Sequence, residues 1–294
     1  MAARRVLVTG ANRGIGLAIA KAVLRHSPEN VVLVGSRLLA NGEAAVAALV
    51  SEDPALAGRV EALEIDVTSI ESIRAAAALV AQKGGLFGLV NNAGVLAKPS
   101  QDVLATNLIG VKSVCDVFLP LVSDRVVMIS SGAASSFCSK CSPERVSQMV
   151  DDSITWTQIE ALTGDFLGAG SETEAAGFGP WDADWTPYGF SKALLNSLTI
   201  QLSRDFPRLK INACSPGMIA TDLFADFAKN KGVSVEESIA GWGAKPPSES
   251  TIAPLFLLFG CEQTGFYYGS DGKRSPFAKY RSPGSEEYDG SDGR

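Results

Sequence analysis

The chain has 294 residues, 46% of them hydrophobic, and its 26 Lys and Arg against 32 Asp and Glu leave a formal net charge of −6. This acidic balance excludes the basic patches that nucleic acids and anionic membrane surfaces select, while the apolar content is enough for a sizeable buried core. One histidine rules out a multi-histidine metal site, and five cysteines, an odd number, fit free thiols in a reducing compartment better than a disulfide framework. No apolar run long enough to span a bilayer is read from the sequence, and a strand follows Met1 so closely that neither a signal nor a transit peptide is expected. The expectation is a soluble, cytoplasmic protein.

Short β-branched runs alternate with Ala- and Leu-rich stretches of helical period, which predicts repeated βα units around a parallel sheet. Strands are predicted at residues 5–9, 31–35, 60–65, 86–91, 125–130, 210–214 and 265–268. The continuous apolar runs Val31-Val32-Leu33-Val34 and Val126-Val127-Met128-Ile129 demand cover on both faces. The fold class is therefore α/β, a Rossmann-type doubly wound parallel sheet of seven strands with helices on both faces, in a single domain over residues 1–281. Two stretches interrupt the alternation: a helical insert at 132–187 and a loop at 222–247. Residues 282–294, rich in Gly, Ser, Asp and Glu, are expected to be disordered.

After the first strand come Gly10, Ala11, Asn12, Arg13, Gly14, Ile15 and Gly16, opening a helix. Glycines there let helix N-terminal amides approach a pyrophosphate, and the helix dipole favours the anion. Turns use glycine freely, so the placement between strand and helix carries this reading. The second strand ends in Ser36-Arg37, where dinucleotide folds usually carry an acid that grips the 2′-hydroxyl of NAD. Arg37, with Arg13 from the glycine loop, can instead pair with a 2′-phosphate, and no carboxylate is expected to oppose them. That pattern points to NADPH. Asp66 and Val67 follow the third strand, placed to bond the adenine amino group and to border its ring.

Further along, Thr155-Trp156-Thr157-Gln158 has capping-box spacing and predicts a helix over 159–167 whose Ile159, Leu162 and Phe166 share an apolar side. Thr186 and Pro187 suit the N-cap and first position of the next helix, on which Tyr188 and Lys192 lie one turn apart. An ammonium beside a phenol can stabilise the phenolate, which makes Tyr188 a candidate general acid; Tyr-to-Lys spacings of this kind also occur on solvated helices. Cys138 and Cys141 have redox or metal spacing but no second pair, and read as ordinary thiols.

Taken together with Asn91-Asn92-Ala93-Gly94, Ser130-Ser131 and Pro216-Gly217 at successive strand ends, these motifs resemble the short-chain dehydrogenase/reductase family in its own order. The resemblance implies a catalytic set of Asn107, Ser131, Tyr188 and Lys192. Tyr188 would donate the proton, Ser131 would hold the carbonyl oxygen, Lys192 would hold the ribose and lower the tyrosine's pKa, and Asn107 would position a water. It also implies that Asn92, Ala93 and Gly94 border the adenosine, and that Pro216, Gly217, Ile219 and Thr221 wrap the nicotinamide and pyrophosphate. The long insert resembles that of the monomeric carbonyl reductases, so a monomer acting with NADPH on a small-molecule carbonyl is expected, with Trp181 and Trp185 at the pocket mouth. An NADPH sensor without turnover and an alcohol dehydrogenase working in the oxidative direction remain alternatives. A nucleotide-sugar epimerase is disfavoured by the glycine spacing.

Overall fold

A computed structural model describes residues 3–96, 98–230 and 232–291. Residues 1–2, 97, 231 and 292–294, which include one position of the 222–247 loop and the end of the predicted tail, lie outside the described residues.

In chain order the first half runs β1 (Arg4–Val8), α1 (Gly14–His26), β2 (Asn30–Ser36), α2 (Leu39–Glu52), β3 (Val60–Glu64), α3 (Ile70–Gln82) and β4 (Leu86–Asn91). A continuous helical run follows: α4 (Ser100–Leu104), a π-helical turn (Ala105–Gly110) and α5 (Val111–Phe118). Then come β5 (Val122–Ile129), α6 (Gly132–Cys138), α7 (Pro143–Met149), α8 (Trp156–Ala169), α9 (Trp185–Asp205) and β6 (Lys210–Cys214). The chain closes with α10 (Asp222–Asn230), α11 (Val235–Trp242), α12 (Ile252–Phe259), β7 (Tyr267–Tyr268) and β8 (Arg274–Ser275).

The sheet order is β3-β2-β1-β4-β5-β6-β7-β8, parallel throughout except for β7 with β8. The eighth strand was not expected. It has only two residues, too few for the period-two pattern to register, and it pairs antiparallel at the edge. Side-chain alternation divides the core in two. Val6, Val8, Val32, Val34, Val90 and Val127 meet α1, α2 and α12 on one face, while Leu7, Leu33, Leu89, Val126 and Met128 meet α3, α5 and α9 on the other.

The insert is laid on α9. The predicted capping box forms, with Gln158 N donating to Thr155 Oγ1 at 3.4 Å and Thr155 N to Gln158 Oε1 at 2.8 Å. Ile159, Leu162 and Phe166 are buried, and the Phe166 ring stacks on Phe190 of α9 with centroids 4.0 Å apart. Polar ties reinforce the contact: Ser197 Oγ donates to Met149 O at 2.6 Å, and Arg204 donates to Asp152 O and Ile154 O at 2.9 Å each. Covered by the sheet, α6 and the insert, α9 is buried over most of its length.

Three expectations are corrected. α9 begins at Trp185, with Asp184 at its N-cap position, so Pro187 lies in the first turn instead of at its start; Thr186 spends its hydroxyl on Asp182 N (2.7 Å) and Pro180 O (3.1 Å). The run Ser100–Leu121 is long and apolar enough to cross a membrane by length and composition, contrary to the sequence reading; Leu104, Leu108, Val111, Val114 and Phe118 within it are buried in the core. Residues 282–291 are not loose but held by polar contacts. Arg281 pairs with Asp271 and donates to Ser275 Oγ at 2.9 Å and Ser285 O at 3.0 Å, Gly284 N donates to Asp271 Oδ2 at 2.8 Å, and Tyr288 N donates to Arg274 O at 3.2 Å. A low apolar content hides such contacts, because they are made by charges and backbone groups.

Candidate active site

The chain leaves β1 in one direction and β4 in the other, so a crevice opens between the carboxyl ends of these two neighbours. There the backbones nearly touch. A Cβ added to Gly10 (φ 63°) would lie 3.0 Å from Ala93 Cα, and one added to Gly16 would lie 2.5 Å from both Asn92 Nδ2 and Gly10 O. Asn92 Nδ2 donates to Thr9 O at 2.8 Å, and Thr9 Oγ1 accepts from Asn92 N and Ala93 N at 3.0 Å each. Thr9, which the sequence reading passed over as a strand end, is the clamp between the two turns. Arg13 precedes α1 in extended conformation, and no side chain caps the helix. Asn12, Gly14 and Ile15 stay partly accessible beside it. The first amides of α1 thus have no side-chain partner, which suits them to an anion.

The flanking positions are disposed less simply. Ser36 is buried and donates to Leu38 O at 2.9 Å, leaving Arg37 as the exposed cation at the end of β2. Arg13 does meet a carboxylate: its Nη1 lies 2.8 Å from Asp222 Oδ2, both groups being largely exposed. The expectation that no acid opposes these arginines is therefore wrong for Arg13. Its partner stands at the start of α10, far away in the chain, where local spacing carries no signal. Asp66 Oδ1 accepts from Thr68 N at 2.9 Å and Thr68 Oγ1 at 2.7 Å, while Val67 is buried. Thr221 approaches the start of α1, since a Cβ on Gly14 would fall 3.4 Å from its Cγ2. Pro216 and Ile219 in the same loop are buried, Gly217 turns the backbone at φ 92°, and Ile219 bridges to Lys245.

At the ends of β5 and α9 the four predicted catalytic side chains come together. Ser131 stands near Tyr188, where its hydroxyl favours the ionised phenol, and Ser131 Oγ also caps α6 by accepting from Ala133 N at 3.1 Å. Ser130, its neighbour, points elsewhere and donates to Lys192 O at 3.2 Å. Lys192 is 4% exposed; its Nζ donates to Ile129 O at 2.8 Å and lies 5.7 Å from the Tyr188 ring centroid. Asn107 is fully buried in the π turn, where Oδ1 accepts from Val95 N at 2.8 Å and Nδ2 donates to Val95 O at 2.9 Å and Ser191 Oγ at 3.1 Å. It clamps the loop after β4 to α9. A Cβ on Gly94 would stand 3.2 Å from Asn107 Oδ1 and 3.6 Å from Lys192 Nζ, so this glycine leaves the two side chains room to meet.

Burial sets the protonation states. Desolvation lowers the Lys192 ammonium to about 8 and pushes the Tyr188 phenol up, the Ser131 hydroxyl offsetting only part of the latter. The expected lowering of the tyrosine by the lysine does not appear: desolvation dominates, and the only influence that favours the phenolate is that of Ser131. Near neutral pH the pair is therefore a neutral phenol and a cation, which is the proton-donating form. The tryptophans divide: Trp185 packs beside Tyr188 with ring centroids 6.1 Å apart, whereas Trp181 packs on Phe166 at 6.4 Å and anchors the insert. Burial also raises both thiols of the Cys138 and Cys141 pair, Cys141 to about 12, which leaves neither a reactive thiolate. Among the described residues no group of His, Cys, Asp and Glu is placed to hold a metal.

Residues 4–141 match the family described as short chain dehydrogenase. Carbonyl reductase (NADPH) 3 of Homo sapiens is 34% identical over 269 residues, covering 85% of this chain and 91% of that protein. Carbonyl reductase (NADPH) 1 of Pongo abelii is 33% identical over 269 residues, covering 85% and 89%. Of solved structures, salutaridine reductase from Papaver somniferum superposes with a TM-score of 0.74 at 23% identity, over 90% of this chain and 99% of that one. An NADPH-bound carbonyl reductase from chicken fatty liver gives 0.63 at 24% identity, over 94% and 99%. These structural likenesses establish the fold.

Proposed function

The chain belongs to the short-chain dehydrogenase/reductase family, with carbonyl reductases among its relatives, and from that premise we propose that it reduces a ketone or aldehyde of a small molecule to the alcohol, with Tyr188 as proton donor. It is an NADPH-dependent oxidoreductase. The observation that carries the finer reading is the convergence of Tyr188 and Ser131 beside the buried Lys192, whose Nζ lies 5.7 Å from the Tyr188 ring centroid.

Bound NADPH supplies the hydride. Gly10, Gly14 and Gly16 leave room for its pyrophosphate at the uncapped start of α1, which Asn12 and Ile15 flank, and Arg37 offers a bidentate partner for the 2′-phosphate. Arg13 can join only by leaving Asp222, so Arg37 takes the larger share. Asp66 and Val67, with Asn92, Ala93 and Gly94, border the adenosine half, while Pro216, Gly217, Ile219 and Thr221 close over the other. Ser131 orients the carbonyl oxygen, Tyr188 gives it a proton from the phenol hydroxyl, and Lys192 holds positive charge beneath that transfer. Asn107 acts by fixing the loop after β4 and, in the family's pattern, by placing a water toward Lys192. We further infer a cytoplasmic monomer. All five cysteines are free, and the insert occupies the side of α9 on which a second subunit would need to pack.

Tyr188→Phe keeps the ring and removes the acid; carbonyl reduction followed at the NADPH absorbance should fall by about a hundredfold or more, with NADPH affinity nearly unchanged. A variant retaining a tenth of the wild-type rate would show the proton comes from another group. Because Lys192 loses its proton at about 8 while Tyr188 stays protonated well above that, kcat/KM for NADPH should fall as pH rises through about 8; a flat profile to pH 10 contradicts the assignment. Arg37→Asp should shift the NADPH to NADH preference by roughly tenfold or more toward NADH, and an unmoved ratio removes the phosphate contact. Light scattering should give a mass near 30.8 kDa at micromolar concentration, and twice that mass would rule out the monomer.

A further inference from the structure

Gly132 directly follows Ser131 and opens α6, and it is pressed from outside by the C-terminal segment: a Cβ built on it would lie 2.8 Å from Cε2 and 3.3 Å from Cδ2 of Tyr280. The Tyr280 ring therefore covers the backbone next to the hydroxyl assigned to the carbonyl oxygen, yet 51% of the residue remains exposed. An aromatic ring with one side against the site and another uncovered has apolar surface left to bury.

Its place is fixed from both sides. Phe277, upstream, is buried and packs on Tyr267 with ring centroids 6.1 Å apart, and Pro276 O accepts from Ser135 Oγ of α6 at 3.3 Å. Arg281, downstream, has a side chain only 8% exposed, paired with Asp271 and bonded to Ser275 Oγ and Ser285 O. The phenols of Tyr188 and Tyr280 are both near enough to Tyr267 to make it still harder to ionise than burial alone does. At the start of α9, Trp185 brings a second exposed ring to Tyr188.

We infer that Tyr280 is a specificity-determining wall of the substrate site, and that with Trp185 it selects carbonyl compounds carrying a flat aryl group beside the reacting carbon. An alkyl group in that place gains only burial, whereas an aryl ring also gains ring-to-ring contact. The inference rests on the carbonyl-reductase reading and deepens it.

The test compares 1-phenyl-1,2-propanedione with 2,3-pentanedione as substrates at saturating NADPH, using the wild type, Tyr280→Phe and Tyr280→Ala. Fluorescence quenching measures NADPH affinity in each. Tyr280→Ala should raise KM for the phenyl dione by about tenfold while leaving KM for pentanedione within about twofold, with kcat and NADPH affinity held. Tyr280→Phe should stay near the wild type. If both diones are reduced and Tyr280→Ala leaves their KM ratio unchanged, Tyr280 is not a wall of the site, though carbonyl reduction stands. If the wild type binds NADPH and oxidises it with neither dione, the carbonyl-reductase reading falls and this inference with it.

Discussion

A buried ammonium needs a partner, and around Lys192 the partner is the carbonyl of Ile129 at the last position of β5. One residue on, Ser130 returns the tie by donating to the carbonyl of Lys192 itself. The helix and the strand are thus locked to each other at a single residue, by its side chain in one direction and its main chain in the other. Charge taken out of water without such bonds is strongly disfavoured, so the helix cannot slide or rotate without exposing the cost. Tyr188, one turn earlier, and Ser131, just past the strand end, inherit their relation from this lock. The same burial keeps the phenol neutral and weakens the amine's hold on its proton, which at about 8 still leaves it charged near neutral pH.

The glycine crossing at β1 and β4 plays the corresponding part for the cofactor half. Gly10 and Gly16 are needed because Ala93 and Asn92 stand where their side chains would be, and Thr9 ties the two turns into one unit. The two halves of the site are joined through Asn107, whose amide holds the segment after β4 against α9. What binds and what reacts are thereby set by one connected network of strand ends.

Much of this was legible in the sequence because it is local. The glycine loop, the capping box at Thr155, the Tyr188 and Lys192 spacing and the buried side of α8 each depend on residues within a turn or two of one another, and each is found in place. The rest depends on distant residues. Asp222 meets Arg13 across most of the chain, and nothing near Arg13 announces it. The sequence places the start of α9 two residues too late because Thr186 resembles a cap, whereas its hydroxyl serves the preceding turn at Asp182 and Pro180. The stretch from 282 reads as a disordered tail on its poverty of apolar residues, but its Gly284 N donates to Asp271 and its Ser285 O accepts from Arg281, contacts between residues that no local pattern links.

The π-helical turn at Ala105–Gly110 has a mechanical consequence of its own. Such a turn carries one residue more than the α-helix on either side of it. Were the same residues wound as a regular α-helix, with nothing to absorb the extra one, everything downstream would rotate by about 100°. Val114 and Phe118, now both fully buried against the sheet, would swing toward solvent, and the long helical run would become a stripe out of phase with its own core. The bulge that seats Asn107 is in this sense a phase adjuster: it lets one unbroken rod present an amide to the chemistry at one level and its greasy side to the sheet at the next.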